Sequence, residues 1–411
     1  MKLKITDVEA IPIYPRLAAR YEARRVDLYG IDARTLFRVH TDCGLIGYGD
    51  QRVRPWAQPA PDCAKHLIGR SAFEFLNGSL NLGSGLSCAL YDVMGKFLEA
   101  PVHRLLGQQV RDRVQVAAWT RPASPVQFAA EIRRAAAEGY QVFKMHTCDY
   151  HDVFAQTRLA EEAAPPGFRL HYDFNGNRAM GTVLPIIREL AQHAIVGWIE
   201  DPLVRGDLEG WRQLRRQVDV PLIMHGMPLG GVQEVILGLA DIYMVSGDIG
   251  DIMAQGMILA KANLQALLQF EGGTLGKAMA MHLASVLPSH TVHSINLDDQ
   301  YAEDVTTTRI PVVAGASPVP TGPGLGIEVD EAAVERLSRQ RLVEAPRHVG
   351  VLRLADGQAY YGRSWVSPAS LTGTQEGATR GHSAEIWEDD GSAEFGRIWD
   401  RVQREGTIRA E

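Results

Sequence analysis

The sequence predicts an α/β fold, a closed barrel of repeated strand–helix units preceded by a small α+β domain. Three observations carry this. From about residue 113 short apolar runs recur, each followed by a helical stretch. The polar residues ending four consecutive runs, Lys144, Asp173, Glu200 and His225, stand 29, 27 and 25 residues apart. That interval holds one strand, one helix and two short loops. The first 112 residues lack the repeat and alternate apolar with polar residues, as half-buried strands do.

Lys4–Ile11 and Thr35–Thr41 read as strands, and the turn Asp42-Cys43-Gly44 leads into a third from Leu45 to Asp50, giving a meander. The polar, aromatic-bearing loop from Tyr14 to Tyr29 is longer than a simple connection needs, a common mark of function or disorder. Residues 84–106 read as helix, with Ala89, Leu90, Val93, Met94 and Phe97 on one face and Pro101 ending the segment. The barrel runs begin at Val114, Gln141, Arg169, Gly197, Pro221, Ile242 and Ala266. A doubly wound open sheet is the alternative, but no Gly-rich phosphate fingerprint follows the first of these strands. Around 311–330 the chain turns Pro/Gly-rich, as expected where it leaves the barrel. The expected organisation is therefore an N-terminal domain at 1–112, a barrel at 113–315, and a C-terminal return with an extension at 316–411. That extension carries Trp365, Trp387 and Trp399 and is expected to pack on the small domain or on another subunit.

At 411 residues the chain exceeds one ordinary core. A net charge of −7 with no basic stripe argues against a nucleic-acid partner. No run reaches the roughly 18 apolar residues of a membrane helix, and the first residues do not read as a signal peptide. Four cysteines without metal-type spacing fit reduced thiols, so a cytoplasmic protein is expected.

Several segments then resemble one family in order and spacing. Gly44-Leu45-Ile46-Gly47-Tyr48-Gly49, Ala89-Leu90-Tyr91-Asp92-Val93-Met94-Gly95-Lys96 and Pro101–Gly107 resemble the cap and first linker of mandelate racemase-like members of the enolase superfamily. Asp173-Phe174-Asn175 and Trp198-Ile199-Glu200-Asp201-Pro202 resemble its first and second metal-ligand motifs, and Gly322–Gly326 its return to the cap. The match runs over residues 1–330. The resemblance implies a modified (β/α)7β TIM barrel under an α+β capping domain that C-terminal residues complete. It also implies a divalent metal, usually Mg2+, that holds a substrate carboxylate while its α-proton is removed.

Asp173 and Glu200 end successive strands, so both carboxylates can enter one mouth as oxygen ligands of Mg2+; the plainer reading makes each a helix cap. Lys144 and His146, at i and i+2, share a strand face. The family usually has two lysines there, the second a base, so His146 is the expected base with Lys144 its helper. Where the resemblance implies a third acidic ligand, this chain has His225, an imidazole donor suited to softer ions. The histidine–aspartate dyad of mandelate-type members is absent. Glu271 loosely matches a seventh-strand acid of muconate-lactonising members, and Asp298 the eighth-strand acid that assists the enolate oxygen. Asn175 and Tyr29 are expected to contact substrate, and Asp201 to orient its neighbours.

These readings lead to a lyase, an acid-sugar dehydratase acting on a small-molecule carboxylate, in a homo-oligomer. A racemase, epimerase or cycloisomerase is the alternative within the superfamily. A barrel that binds a small acid without catalysis is the alternative outside enzymes.

Overall fold

The computed structural model describes residues 3–411 except 23, 25, 27–29, 61, 79–80, 177 and 374–378. Tyr29 therefore lies outside the described residues. Strands β1 (Ile5–Ile13), β2 (Arg34–Thr41) and β3 (Ile46–Arg52) form the antiparallel meander, followed by helix α1 (Ser84–Phe97). The helix stops at Phe97, and a separate short turn follows at His103–Leu106.

Eight parallel strands then alternate with helices. They are β4 (Arg113–Thr120), β5 (Val142–His146), β6 (Arg169–Asp173), β7 (Val196–Glu200), β8 (Leu222–His225), β9 (Ile242–Val245), β10 (Gln265–Phe270) and β11 (Ser294–Asn296). They neighbour one another in sequence order, and β11 pairs back to β4, which closes the barrel. The intervening helices are α2 (Pro125–Ala137), α3 (Val153–Ala163), α4 (Met180–Leu190), α5 (Leu208–Arg215), α6 (Val232–Leu237), α7 (Ile249–Lys261) and α8 (Thr274–Val286). Local sequence starts several of them. Ser124 and Gln127 form a reciprocal capping box on α2, and Asp152 and Asp207 cap α3 and α5. Strand β12 (Ala316–Pro318) adds antiparallel to β4, and helix α9 (Glu331–Arg339) follows.

Compactness divides the chain into two units. The first comprises Met1–Arg24, Leu28–Trp119 and His225–Val343, and the second Arg25–Asp27, Thr120–Met224 and Glu344–Glu411. In the first unit, the glycines of the Gly47-Tyr48-Gly49 motif let β3 lie directly on α1. A Cβ at Gly49 would collide with the backbone of Gly85 and Ala89. Buried Asp92 on α1 takes the amides of Tyr48 (2.9 Å) and Leu325 (2.8 Å) and pairs with Lys96 at 2.6 Å. One carboxylate thus holds three of the motifs that resemble the family. A second buried knot joins Arg34 to Asp50 and Asp304, and Asp50 takes the amides of Gly273 (2.7 Å) and Gly276 (3.0 Å) at the start of α8.

Two buried histidines of this unit carry an acid sensitivity. His282 lies with Nδ1 3.3 Å from Nδ1 of His103, and burial lowers its pKa to about 3. Burial, with Arg111 nearby, lowers His290 to about 3 as well. Unfolded histidines titrate near 6.5, so below that pH the unfolded state binds protons that the native state refuses. Each contribution is fully present above about pH 6.5, is lost at up to about 1.4 kcal/mol per pH unit as pH falls, and levels off near pH 3. Urea unfolding at pH 7.5, 6 and 5 should show this slope, and His290→Gln should flatten it; equal slopes in variant and parent would contradict the assignment.

The second unit contains β5–β7, most of β8, and the C-terminal extension. The extension is a module with its own sheet, β15-β13-β14-β16, made of β13 (His348–Arg353), β14 (Ala359–Gly362), β15 (Ser383–Glu388) and β16 (Ile408–Arg409). Helix α10 (Ala393–Glu405) packs on it through Phe395 and Val402, against Val349 and Ile408. Within this unit the extension packs on the segment after β5, a contact the sequence reading did not name. Tyr150 joins Leu352, Val366 and Ala384. The sequence could not assign that partner, because it lies some two hundred residues back along the chain.

Candidate active site

The second unit brings five of the expected residues together. Parallel pairing sets Lys144 beside His171, His146 beside Asp173, and Asp173 beside Glu200. Residues paired this way share a sheet face, so three adjacent strands present an ionisable layer at their C-terminal ends, where such barrels hold their chemistry. Lys144 is fully buried, with Nζ 2.6 Å from Glu200 Oε2 and 3.1 Å from Asp173 Oδ2. Burial alone would lower its pKa; the carboxylates of Glu200 and Asp173 outweigh burial and raise it. Lys144 is therefore a fixed cation at neutral pH, a cross-link between carboxylates.

His146 differs. About a quarter of its side chain is exposed, with Nδ1 3.0 Å from Asn175 Oδ1 and 3.5 Å from Asp173 Oδ2. Burial lowers its pKa, and Lys144 adds to that against the pull of Asp173. The ring is then neutral, with the Nδ1 proton donated to Asn175 and the proton-accepting lone pair on Nε2. Asn175 adopts a left-handed backbone (φ 54°), a conformation asparagine tolerates, and its amide donates to Asp173 Oδ1 at 2.8 Å. Asp201 accepts from Arg205 Nε at 3.0 Å.

His171 was not anticipated. Its Nε2 lies 2.7 Å from Glu200 Oε2, it is fully buried, and burial lowers its pKa against the pull of Glu200. The i/i+2 parity that joins Lys144 to His146 also joins His171 to Asp173, so the signal was in the sequence.

Glu271 and Asp298 belong to the first unit, and each already has a cationic partner. Glu271 meets Arg52 at 2.6 Å and accepts from Gln269 at 2.7 Å. Buried Asp298 meets Lys277 Nζ at 2.9 Å; burial pushes its carboxyl up while Lys277 pulls it down. His225 is the last residue of β8, whose Leu222 and Ile223 pair with Ile199 and Glu200.

The donor set of this site fits a divalent cation. Asp173 and Glu200 bring two buried negative charges against the single charge of Lys144, and carboxylate oxygens are what hard dications take.

A parallel barrel with a buried lysine–dicarboxylate layer and a hydrogen-bonded histidine at its strand ends has the build of a barrel enzyme. Residues 127–333 match the family model described as enolase C-terminal domain-like, and the chain belongs to this family, within the enolase superfamily. It is 25% identical to a D-galactonate dehydratase from Ralstonia nicotianae, over 77% of this chain and 94% of that protein. Among solved structures it resembles N-succinyl Arg/Lys racemase from Bacillus cereus, with a TM-score of 0.70 and 20% identity over 82% of this chain and 98% of that one. It also resembles muconate lactonizing enzyme from Pseudomonas putida, with a TM-score of 0.68 and 20% identity over 81% and 99%. Among the described residues no helix is long and apolar enough to cross a membrane.

Proposed function

We propose that this protein is a one-base dehydratase of hydroxylated carboxylates, an acid-sugar lyase in which His146 is the base. The observation that carries the reading is the contrast between the two residues on β5. Lys144 is committed to two carboxylates, whereas His146 is neutral and partly exposed. An isomerase using Lys144 as one of two opposed bases loses support from the same contrast.

A divalent cation held by Asp173 and Glu200 would draw charge from the substrate carboxylate and acidify its α-proton. His146 Nε2 takes that proton, and the C–H electron pair passes into the enediolate. Asp173 and Asn175 hold the resulting imidazolium in place through Nδ1. The electron pair then forms the Cα–Cβ double bond as the β C–O bond breaks. The departing hydroxyl takes the proton from Nε2 and leaves as water, and the enol product tautomerises to a 2-keto-3-deoxy acid. Lys144 holds the two carboxylates in place throughout. Its hydrogen bond to the base supports Asn175 as the residue that meets substrate.

The test is incubation with a panel of acid sugars in heavy water containing Mg2+ or Mn2+. Proton NMR follows the α-hydrogen and a carbonyl reagent follows 2-keto acid. Loss of the α-hydrogen with matching keto-acid formation is the expected result. Deuterium entering recovered substrate without elimination would turn the assignment to an isomerase, and no reaction across the panel would sink it.

A further inference from the structure

The C-terminal module lies beyond the segment matched to the family, residues 127–333, and it grips the chain immediately after the proposed base. The segment 147–152 leads from His146 to α3. Such βα loops ordinarily run exposed and mobile over the surface, yet here Thr147, Cys148, His151 and Asp152 are all buried. Trp365 of the module stacks on Tyr150, with centroids 4.5 Å apart and planes within 8°, and meets His151 edge-on at 5.3 Å. Asp152 divides its carboxylate between two tasks. Oδ1 caps α3 by accepting from Phe154 and Ala155, and Oδ2 accepts the amide of Gly381 at 3.0 Å. Next to this, Arg380 makes a bidentate pair with Glu189 at 3.0 and 3.1 Å, its guanidinium over the ring of Phe154. At its other end the segment is pinned by Thr147, whose amide donates to Asp173 O at 2.8 Å and whose hydroxyl receives Arg178 at 3.2 Å.

We propose that the module is a built-in clamp on segment 147–152, and that Trp365 and Arg380 act through it as positioning residues for His146. This rests on the reading of His146 as base. A base a fraction of an ångström out of line loses much of its effect, so a rigid support behind its strand end has a direct catalytic use. Trp365 and Arg380 belong to a segment added to the family fold, so the device is particular to chains that carry it.

The experiment uses the full chain with Trp365→Ala, the conservative Trp365→Phe, Arg380→Glu and the charge-swapped pair Arg380→Glu with Glu189→Arg. In Trp365→Ala, amide exchange in a peptide spanning 147–152 should speed up about tenfold, with peptides from β6 and β7 unchanged. The kcat for α-proton exchange should fall about tenfold with KM nearly constant. Trp365→Phe should keep both values, and the swapped pair should recover what Arg380→Glu loses. Unchanged exchange in 147–152, or a loosened segment with unaltered kcat, would overturn the proposal. Were Trp365→Ala not to fold, Arg380→Glu and its swapped rescue decide the same question. The rate at which diethyl pyrocarbonate modifies His146, read by mass spectrometry, needs no substrate. A faster rate in Trp365→Ala supports the clamp even if the panel of acids shows no turnover, and an equal rate rejects it.

Discussion

His146→Ala is expected to lower turnover by about two to four orders of magnitude, the usual worth of a positioned general base, while leaving the protein folded. His146 is partly exposed, and the groups it meets at Nδ1 keep partners of their own: Asn175 donates its backbone amide to Asp173, and Asp173 faces Lys144. Lys144, Asp173 and Glu200 stay locked to one another without it. KM should therefore change little and kcat should carry the loss. Added imidazole should restore part of the rate, since the missing group is a proton acceptor and not a scaffold. His146→Lys restores the residue type the resemblance implies at this position. It should retain activity with its pH profile moved upward, because an ammonium gives up its proton at higher pH than an imidazolium. A His146→Ala variant as active as the parent would remove the base from the scheme.

How far this site was legible in the sequence follows from the range of the forces that build it. Strand ends spaced by one βα unit, and the i/i+2 parity of a strand, suffice to gather Lys144, His146, Asp173 and Glu200, because parallel register carries that parity from strand to strand. The same rule reaches His171 once applied to β6. Parity could not say what Lys144 does. A lysine near two carboxylates can serve a substrate or serve the carboxylates, and the 2.6 and 3.1 Å contacts that support the second reading carry no local signal. Glu271 is bound to Arg52, 219 positions earlier, a pairing with no local signal. The same holds for Trp365 and Tyr150: the tryptophan was visible as an aromatic in a polar extension, its stacking partner was not.

Lys144→Met should be the most destabilising single change in the site, costing about 3–5 kcal/mol, the usual loss when one member of a buried ion pair is removed. Methionine nearly fills the volume, so the cost is electrostatic. Two carboxylates, each at most a few per cent exposed, would face one another without their shared ammonium. In the parent, the raised pKa of Lys144 means that its contribution is fully present below the lysine range near 10.4 and fades only as pH rises through the higher folded value. The variant should respond to acid in the opposite sense. Like charges in one site force one carboxyl to take up a proton at an unusually high pH, so the gap between variant and parent should narrow as pH falls from 7 to 5. A shortfall in Tm of about 4–6 °C at pH 7 is the expected scale, because the entropy of unfolding of so long a chain spreads that loss over few degrees. Mn2+ or Mg2+ should raise the Tm of the variant more than that of the parent, because a dication can take over the lost positive charge at the carboxylates. A variant as stable as the parent at pH 7 would mean that Asp173 and Glu200 do not depend on Lys144. A deficit unchanged between pH 7 and 5 would locate its origin in packing.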